Sequence, residues 1–212
     1  MDESAASSRL NVLLVAAGLE PLDDETAARF ENYISLFIRW NERLNLSSVR
    51  DEDSIRSRHL VESILVASAL PKGIETLLDF GSGGGLPGIP IALCRPEMSV
   101  TLAESQGKKA AFLHEAVRVL GIGVKVHTGR AETLHGPFDC VILRAVDKMP
   151  KAVAAAVPLL APAGWLALMT THGELKTMET AAGAGFVFGK PRALPGGTER
   201  VLVLAQRQAG DY

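Results

Sequence analysis

The sequence is poor in cysteine and in long apolar runs, and each shortage excludes a class of protein. Only two cysteines occur, Cys94 and Cys140, and both lie in apolar stretches. They are expected to be core thiols in a reducing compartment, and nothing in their spacing indicates a metal site. No apolar run approaches the roughly 18 residues of a membrane-spanning helix. The N-terminus lacks the basic and apolar regions of a signal peptide, so we expect a cytoplasmic protein.

The sequence also lacks a strong charge of either sign, with a formal net charge of −2 over 212 residues. Residues 1–72 carry 12 acidic and 8 basic side chains, and residues 73–212 carry 12 acidic and 14 basic ones, which gives −4 and +2. A nucleic-acid partner would therefore have to be bound through a local basic patch. We expect residues 1–72 to be an N-terminal helical extension, with helices within residues 1–20, from Leu22 to Asn41 and from Arg56 to about Leu70, and residues 73–212 to be the main domain.

Glycine is concentrated in one stretch that we expect to bind a ligand. Leu77 to Phe80 has the apolar character of a buried strand, and Ile89 to Leu93 is expected to be helical. Between them lie Gly-Ser-Gly-Gly-Gly-Leu-Pro-Gly. Glycine permits positive φ and close approach of a ligand to the backbone, and a helix start offers free N–H groups. A strand, a glycine turn and a helix start together predict a nucleotide-type cradle.

The glycines fit two spacings, which imply different ligands. Gly83, Gly85 and Gly88 match the G-x-G-x-x-G pattern of dinucleotide-binding proteins. Asp79, Gly81, Gly83 and Gly85 match a second pattern, which resembles motif I of class I S-adenosylmethionine (SAM) methyltransferases. The next expected strand, from Met98 to Ala103, is followed by Glu104, which could accept hydrogen bonds from both ribose hydroxyls of either ligand.

Beyond Thr76 the expected strands and helices alternate, and one of these helices is expected from Gly107 to Leu120. The alternation predicts a parallel sheet with right-handed crossovers. The expected strands are Val124 to His127, Phe138 to Leu143, Trp165 to Met169, Phe186 to Gly189 and Arg200 to Ala205. A turn is expected at Pro162 to Gly164. The connection between the last two strands is short, so that pair is predicted to be antiparallel. The fold class is therefore α/β, a Rossmann-like and mostly parallel sheet of the class I SAM methyltransferase type with an antiparallel last strand. This arrangement favours methyl transfer over hydride transfer.

Longer motifs identify a resemblance. The sequence closely resembles the RsmG (GidB) family of bacterial 16S rRNA guanine-N7 methyltransferases over nearly its whole length. The matching motifs include RWNERLNLSSVRD (39–51), RHLVES (58–63), DFGSGGGLPGIPIA (79–92), ESQGKKAAFL (104–113), GRAE (129–132), LRAV (143–146) and GTERVLVL (197–204).

The resemblance implies SAM as cofactor and 16S rRNA, or a small-subunit particle, as partner. It implies cofactor contacts at Gly81, Leu86, Glu104, Ala131, Glu132 and Arg144, besides the turn positions Asp79, Gly83 and Gly85. Arg144 is also a candidate for positioning the substrate. The basic residues that we expect to contact RNA near the cofactor are Arg50, Arg58, Lys108, Lys109 and Arg200. We expect a monomer without a metal.

Three positions, in two motifs, depart from the family pattern. Thr170 and Thr171 occupy the place where relatives often carry lysine and glycine, and Val201 occupies the place of a histidine. All three are positions that could touch RNA. Guanine N7 has an in-plane lone pair and no proton, so the resemblance implies methyl transfer by orientation, with no side chain required as an acid or base. Two other function classes stay open, an NAD-dependent oxidoreductase and a non-catalytic RNA-binding module.

Overall fold

The structure is a computed structural model that describes residues 8–195 and 199–208. Residues 1–7, part of the first expected helix, and residues 196–198, part of the last family motif, lie outside the described residues. The α-helices are α1 (Arg9–Ala16), α2 (Asp24–Leu44), α3 (Glu52–Ser54), α4 (Val61–Ala69), α5 (Gly88–Cys94), α6 (Gly107–Leu120), α7 (Met149–Ala156) and α8 (Leu175–Ala182). The strands are β1 (Thr76–Phe80), β2 (Ser99–Glu104), β3 (Lys125–Thr128), β4 (Phe138–Arg144), β5 (Leu160–Thr171), β6 (Phe186–Phe188), β7 (Arg192–Ala193) and β8 (Arg200–Arg207).

The eight strands form one sheet in the order β3-β2-β1-β4-β5-β8-β6, with β7 also paired to β8. The first five strands are mutually parallel, and β8 is antiparallel to β5, β6 and β7. The predicted α/β class and the antiparallel end of the sheet are confirmed. The chain leaves β1 for β2 and β3 on one side and returns to β4 on the other. Ligands of open α/β sheets bind at such a reversal.

Two apolar layers cover the sheet, because successive strand residues point to opposite faces. Leu77 belongs to the layer beneath α1, α2, α4, α5 and α6, whereas Leu78 belongs to the layer beneath α7 and α8. The N-terminal helices therefore share one core with the sheet. Phe37 and Trp40 of α2 make edge-to-face contacts with Phe112 of α6, with centroids 6.0 and 5.7 Å apart. The division at residue 72 stays a prediction.

The third predicted helix differs in its start and its geometry. It was expected to open at Arg56, but α3 begins at Glu52, where the Asp51 side chain accepts a hydrogen bond from the Ser54 amide at 2.7 Å. A π-helical segment, Ile55–Leu60, then connects α3 to α4. The wider turn of a π-helix changes which side chains face inward, and such segments are frequent at functional sites.

The fifth strand also differs from the prediction. A turn was expected at Pro162 to Gly164 before a strand at Trp165, but β5 runs from Leu160 to Thr171. Its pairing to β4 is irregular: Phe138 lies opposite Leu160, whereas Cys140 lies opposite Trp165. The extra residues on β5 form a bulge in which Ala163 has φ of 59°. The sheet thus accommodates the local turn sequence without ending the strand.

None of the described helices is both long enough and apolar enough to cross a bilayer. Within residues 8–195 and 199–208, no group of three or more histidine, cysteine, aspartate or glutamate side chains is arranged to hold a metal ion.

Candidate active site

A cleft of about 680 Å³ opens at the carboxyl ends of β1, β2, β4 and β5. It is lined by residues of the glycine turn, by the β4–α7 loop and by the segment of the extension around the π-helix. Among the predicted cofactor contacts, those that line it are Gly81, Gly83, Leu86, Glu104 and Arg144. Among the predicted RNA contacts, those that line it are Arg58, Lys109 and Arg200. The reversal of strand order therefore brings together residues from both predicted groups.

Gly81 and Gly83 are two of the turn residues that line the cleft. Both have positive φ, 76° and 55°, which side chains rarely adopt. A Cβ on Gly83 would meet nothing within 4 Å, so the backbone there is open to a ligand. A Cβ on Gly81 would lie 3.3 Å from Cγ2 of Val146, which comes from the β4–α7 loop. The glycines at these two positions keep the backbone bare at the cleft surface.

Gly84, which also lines the cleft, and Gly85 must be glycines because neighbouring side chains leave no room for a Cβ. A Cβ on Gly84 would lie 2.5 Å from Phe37 of α2, and one on Gly85 would lie 2.5 Å from Ile89. The hydroxyl of Tyr33, which is fully buried, donates a hydrogen bond to the Gly84 carbonyl. Burial raises the pKa of this hydroxyl well above its usual value, which keeps it a donor. Helix α2 therefore packs against the turn and holds it in place. The predicted contact of Gly85 with cofactor stays a prediction.

Asp79 lies inside the protein and does not line the cleft. Its carboxylate accepts a hydrogen bond from the Gly88 amide at 3.0 Å, which ties the end of β1 to the start of α5. Burial raises the pKa of this carboxyl to about 7, although the Gly88 amide opposes the shift. Asp79 therefore holds the two ends of the glycine turn together.

Glu104 ends β2 and points into the cleft, with 5% of the residue exposed. One carboxylate oxygen accepts a hydrogen bond from the Gly83 amide at 2.9 Å, and the other accepts one from the Gln106 amide at 2.7 Å. Each carboxylate oxygen has a second acceptor site. Glu104 can therefore brace the turn and accept hydrogen bonds from a ligand at the same time.

Ala131 and Glu132 lie in a 3₁₀ turn, Ala131–Thr133, that follows β3. Ala131 is buried and Glu132 is exposed, and neither lines the cleft. The Gly129 amide donates a hydrogen bond to the Glu104 carbonyl at 3.0 Å, which keeps this segment beside the end of β2. Their predicted contact with adenine remains a prediction.

Arg144 ends β4 in a polar cluster that sequence reasoning did not anticipate. Its Nη2 atom lies 2.6 Å from Nδ1 of His59 and 3.5 Å from a carboxylate oxygen of Glu62. The other Glu62 oxygen lies 2.5 Å from Nη2 of Arg200. The Arg144 side chain is 13% exposed, and that of Glu62 is 1% exposed. His59 and Glu62 of the extension therefore hold Arg144 in place, and it is not a solvated loop arginine.

His59 is neutral in this cluster. An arginine can only donate, so Nδ1 of His59 must accept from Arg144, and Nε2 is left to donate to the Ser47 hydroxyl at 2.8 Å. Burial, reinforced by the charges of Arg144, Arg58 and Arg200, lowers the pKa of His59 to about 3. The one sequence signal for this cluster was the spacing of His59 and Glu62, which are three positions apart and therefore lie on the same side of a helix.

The other two predicted RNA contacts lie outside the cleft lining. Lys108 is exposed on α6 next to Lys109. Arg50 is exposed and donates a hydrogen bond to the Asn45 side chain at 2.8 Å. Contact with a large RNA can extend beyond the cleft, so these two assignments stay predictions.

The positions that depart from the family pattern differ in access to the cleft. Thr170 and Thr171 line it, and their hydroxyls donate to one oxygen of Glu174 at 3.0 and 3.1 Å. Val201 is fully buried, paired with Thr170 in the sheet. Only the two threonines therefore lie where a substrate in the cleft could touch them.

Comparison with known proteins points to one family. The sequence profile of GidB, described as rRNA small subunit methyltransferase G, matches residues 26–187. The chain is similar to the ribosomal RNA small subunit methyltransferase G of Xanthomonas euvesicatoria, with 40% identity over 195 residues that cover 89% of this chain and 90% of the relative. Its namesake in Xanthomonas campestris is 38% identical over 216 residues, covering 98% of this chain and all of the relative.

Two solved methyltransferases have a similar fold. Mitomycin 7-O-methyltransferase MmcR superposes with a TM-score of 0.62 at 14% identity, covering 96% of this chain and 74% of that one. A methyltransferase from Pyrococcus furiosus superposes with a TM-score of 0.59 at 16% identity, covering 84% of this chain and 98% of that one. At such low identity these structures show the shared fold alone.

Proposed function

The chain belongs to the GidB family of rRNA small subunit methyltransferases G, and from this premise we propose that it transfers the methyl group of SAM to N7 of one guanine in 16S rRNA. One observation carries the proposal. The cleft combines an open glycine backbone and a carboxylate, at Gly83 and Glu104, with the basic side chains Arg58, Lys109 and Arg200. The first pair suits an adenosine ligand, and the basic residues suit RNA phosphates.

The order of strands fits SAM laid across the sheet edge. Glu104 on β2 would accept the ribose hydroxyls, and the 3₁₀ turn after β3 would lie on the adenine side. The bare backbone at Gly81 and Gly83, after β1, would lie beneath the middle of the ligand. Arg144 on β4 would face the methionine part. Adjacent strands are about 4.8 Å apart, so β3 to β4 spans about 14 Å, enough for an extended nucleoside with its amino-acid tail.

When bound, SAM would supply a sulfonium methyl group that the N7 lone pair can attack in line: the N–C bond forms as the C–S bond breaks, leaving S-adenosylhomocysteine and a 7-methylguanine cation. N7 loses no proton, so no residue is needed as a general base. The residues of the cleft would contribute by holding the two partners in line, an effect worth about 7–11 kcal/mol in favourable cases. The low pKa of His59 and the engagement of both its ring nitrogens agree with a role outside proton transfer.

The extension would contribute to both substrates. It carries Tyr33, which holds the glycine turn, and Arg58, which lines the substrate side of the cleft. We therefore propose that residues 1–72 complete the cleft of the main domain formed by residues 73–212. The β5 end, with Glu174 held by two threonine hydroxyls, would lie beside the guanine.

A methyl-transfer assay tests the proposal. The protein is incubated with methyl-labelled SAM and 16S rRNA, either naked or in small ribosomal subunits, and the digested nucleosides are separated. We expect label in 7-methylguanosine alone, and loss of transfer when S-adenosylhomocysteine is added. Label in another nucleoside would contradict the N7 assignment. Binding of NAD in place of SAM would favour the oxidoreductase, and RNA binding without transfer would favour the non-catalytic module.

A further inference from the structure

The buried cluster around Arg144 carries an excess of positive charge. Arg144 and Arg200 contribute two positive charges and Glu62 one negative charge, while His59 is neutral, so one positive charge remains. Burial lowers the pKa of Arg144, which reflects the cost of keeping its guanidinium charged there. A buried charge without a partner is unfavourable, so the cluster favours an anion from outside the protein.

Arg144 also has hydrogen-bonding capacity that the protein leaves unused. Its Nη2 atom is engaged by His59 and Glu62, but its Nη1 atom is buried and has no hydrogen-bond partner among residues 8–195 and 199–208. Buried polar atoms in native proteins almost always have a partner, and an exception needs an explanation. Because Arg144 lines the cleft, a ligand held there can supply the missing acceptor.

The position of Arg144 indicates which part of the ligand this is. Arg144 ends β4, whereas Glu104 ends β2, and the glycine turn after β1 lies between them. With the ribose at Glu104, the part of SAM that extends past the glycine turn toward β4 is the methionine part, whose anionic group is its carboxylate. A guanidinium is matched to a carboxylate in shape and charge.

We propose that His59 is a positioning residue, whose neutral imidazole orients the Arg144 guanidinium to receive the carboxylate of the methionine part of SAM. The inference rests on the proposed function, since it takes SAM as the ligand. His59 acts from the extension, where it lies in the π-helical segment Ile55–Leu60. Its ring links the Ser47 hydroxyl to the Arg144 guanidinium. Its role is to hold Arg144, and it does not touch the reacting atoms.

Two substitutions at His59 separate positioning from packing. In His59→Asn the amide oxygen lies near the place of Nδ1, so an acceptor for Arg144 is kept. In His59→Gln the amide lies near the place of Nε2, so the side facing Ser47 is kept and the acceptor for Arg144 is lost. Both variants keep a polar, uncharged side chain at this buried position.

Two ligands make the test specific. S-Adenosylhomocysteine has the methionine-derived carboxylate, whereas 5′-methylthioadenosine has the same adenosine and sulfur without it. By isothermal titration calorimetry, we expect His59→Gln and Arg144→Ala to weaken S-adenosylhomocysteine binding about tenfold or more, the scale of one hydrogen bond to a charged group. His59→Asn should remain within about threefold of wild type. Binding of 5′-methylthioadenosine should be unchanged in all three, which also shows that the variants are folded.

Equal weakening of both ligands by His59→Gln would overturn the inference, because His59 would then support the cleft as a whole. Unchanged S-adenosylhomocysteine binding in Arg144→Ala would also overturn it, as would equal losses in His59→Asn and His59→Gln. These readouts do not require methyl transfer, so a protein that binds both ligands but does not methylate rRNA would contradict the proposed function alone. A wild-type protein that binds neither ligand would remove the proposed function and this inference together.

Discussion

Replacing Glu104 with alanine should weaken SAM binding by about 1.5–3 kcal/mol, which is about 10- to 150-fold in Kd. The carboxylate is almost fully buried and already accepts the Gly83 and Gln106 amides, so its direction is set before a ligand arrives. Its remaining acceptor sites would take the ribose hydroxyls. The magnitude is that of hydrogen bonds to a charged group that the ligand loses when the carboxylate is removed.

The same substitution also removes the brace of the turn, so the two effects must be separated. The separation uses S-adenosylhomocysteine and its 2′,3′-dideoxy analogue, which lacks the ribose hydroxyls. If Glu104 binds those hydroxyls, Glu104→Ala should weaken the hydroxylated ligand by the full amount and the dideoxy analogue much less. The coupling in this double-mutant cycle measures the hydroxyl contact itself.

Calorimetric titration of both proteins with both ligands provides the four affinities. Glu97→Ala is the matched control, because it removes the same charge from a residue just before the start of β2, at the opposite edge of the sheet. It should leave both affinities unchanged. A loss below about threefold for S-adenosylhomocysteine, or an equal loss for both ligands, would refute ribose recognition by Glu104.

Three further outcomes are expected. Gly85→Val should lower the free energy of unfolding by about 1–3 kcal/mol and abolish SAM binding, because its φ is 79° and its Cβ would lie 2.5 Å from Ile89; unchanged chemical denaturation would show that the turn packs differently. Replacing Lys108 and Lys109 with alanine should reduce the log–log salt slope of RNA binding by about 1–2 with SAM affinity unchanged; an unchanged slope in a salt titration would place the RNA surface elsewhere. Burial raises the pKa of Asp79 to about 7, so the folded state holds its proton more tightly and wild-type stability should fall by about 2–3 kcal/mol between pH 5 and 7.5 through this group. Asp79→Asn should lack this loss in urea denaturation at the two pH values, and identical pH dependence in both proteins would contradict the assignment.

Local patterns predicted much of the fold because the signals lie within single elements. Helix α6 has the bounds that were expected, Gly107 to Leu120. Its apolar spacing and the Gly121 that ends it are both local signals, which lie within or next to the helix in the sequence. The parallel direction of the first five strands was predicted from their alternation with helices. The bulge in β5 was missed because a Pro-Ala-Gly sequence predicts a turn, whereas only the pairing of β5 with two neighbours keeps the strand continuous there.

The roles of the individual glycines were likewise predicted only in part from the sequence. Their spacing predicted a turn that a ligand could approach, and the open backbone at Gly83 agrees with it. The spacing could not distinguish Gly83, where a Cβ would meet nothing, from Gly84 and Gly85. At those two positions glycine is needed because a neighbouring side chain leaves no room for a Cβ. For Gly84 that neighbour is Phe37, which is 47 residues earlier in the sequence and comes close only when α2 packs against the turn.

Periodicity and motifs along the chain were enough to predict the α/β fold, the family and the edge of the sheet where ligands would bind. What surrounds each charge depends on how the helices pack against the sheet. Arg144 and His59 are separated by 85 positions, and their 2.6 Å contact exists because the extension packs across the carboxyl end of β4. Burial there removes water, which makes the imidazole neutral and leaves the guanidinium short of an acceptor. Desolvation is a property of the packed molecule, so residue types and spacing could name these groups but could not assign their states.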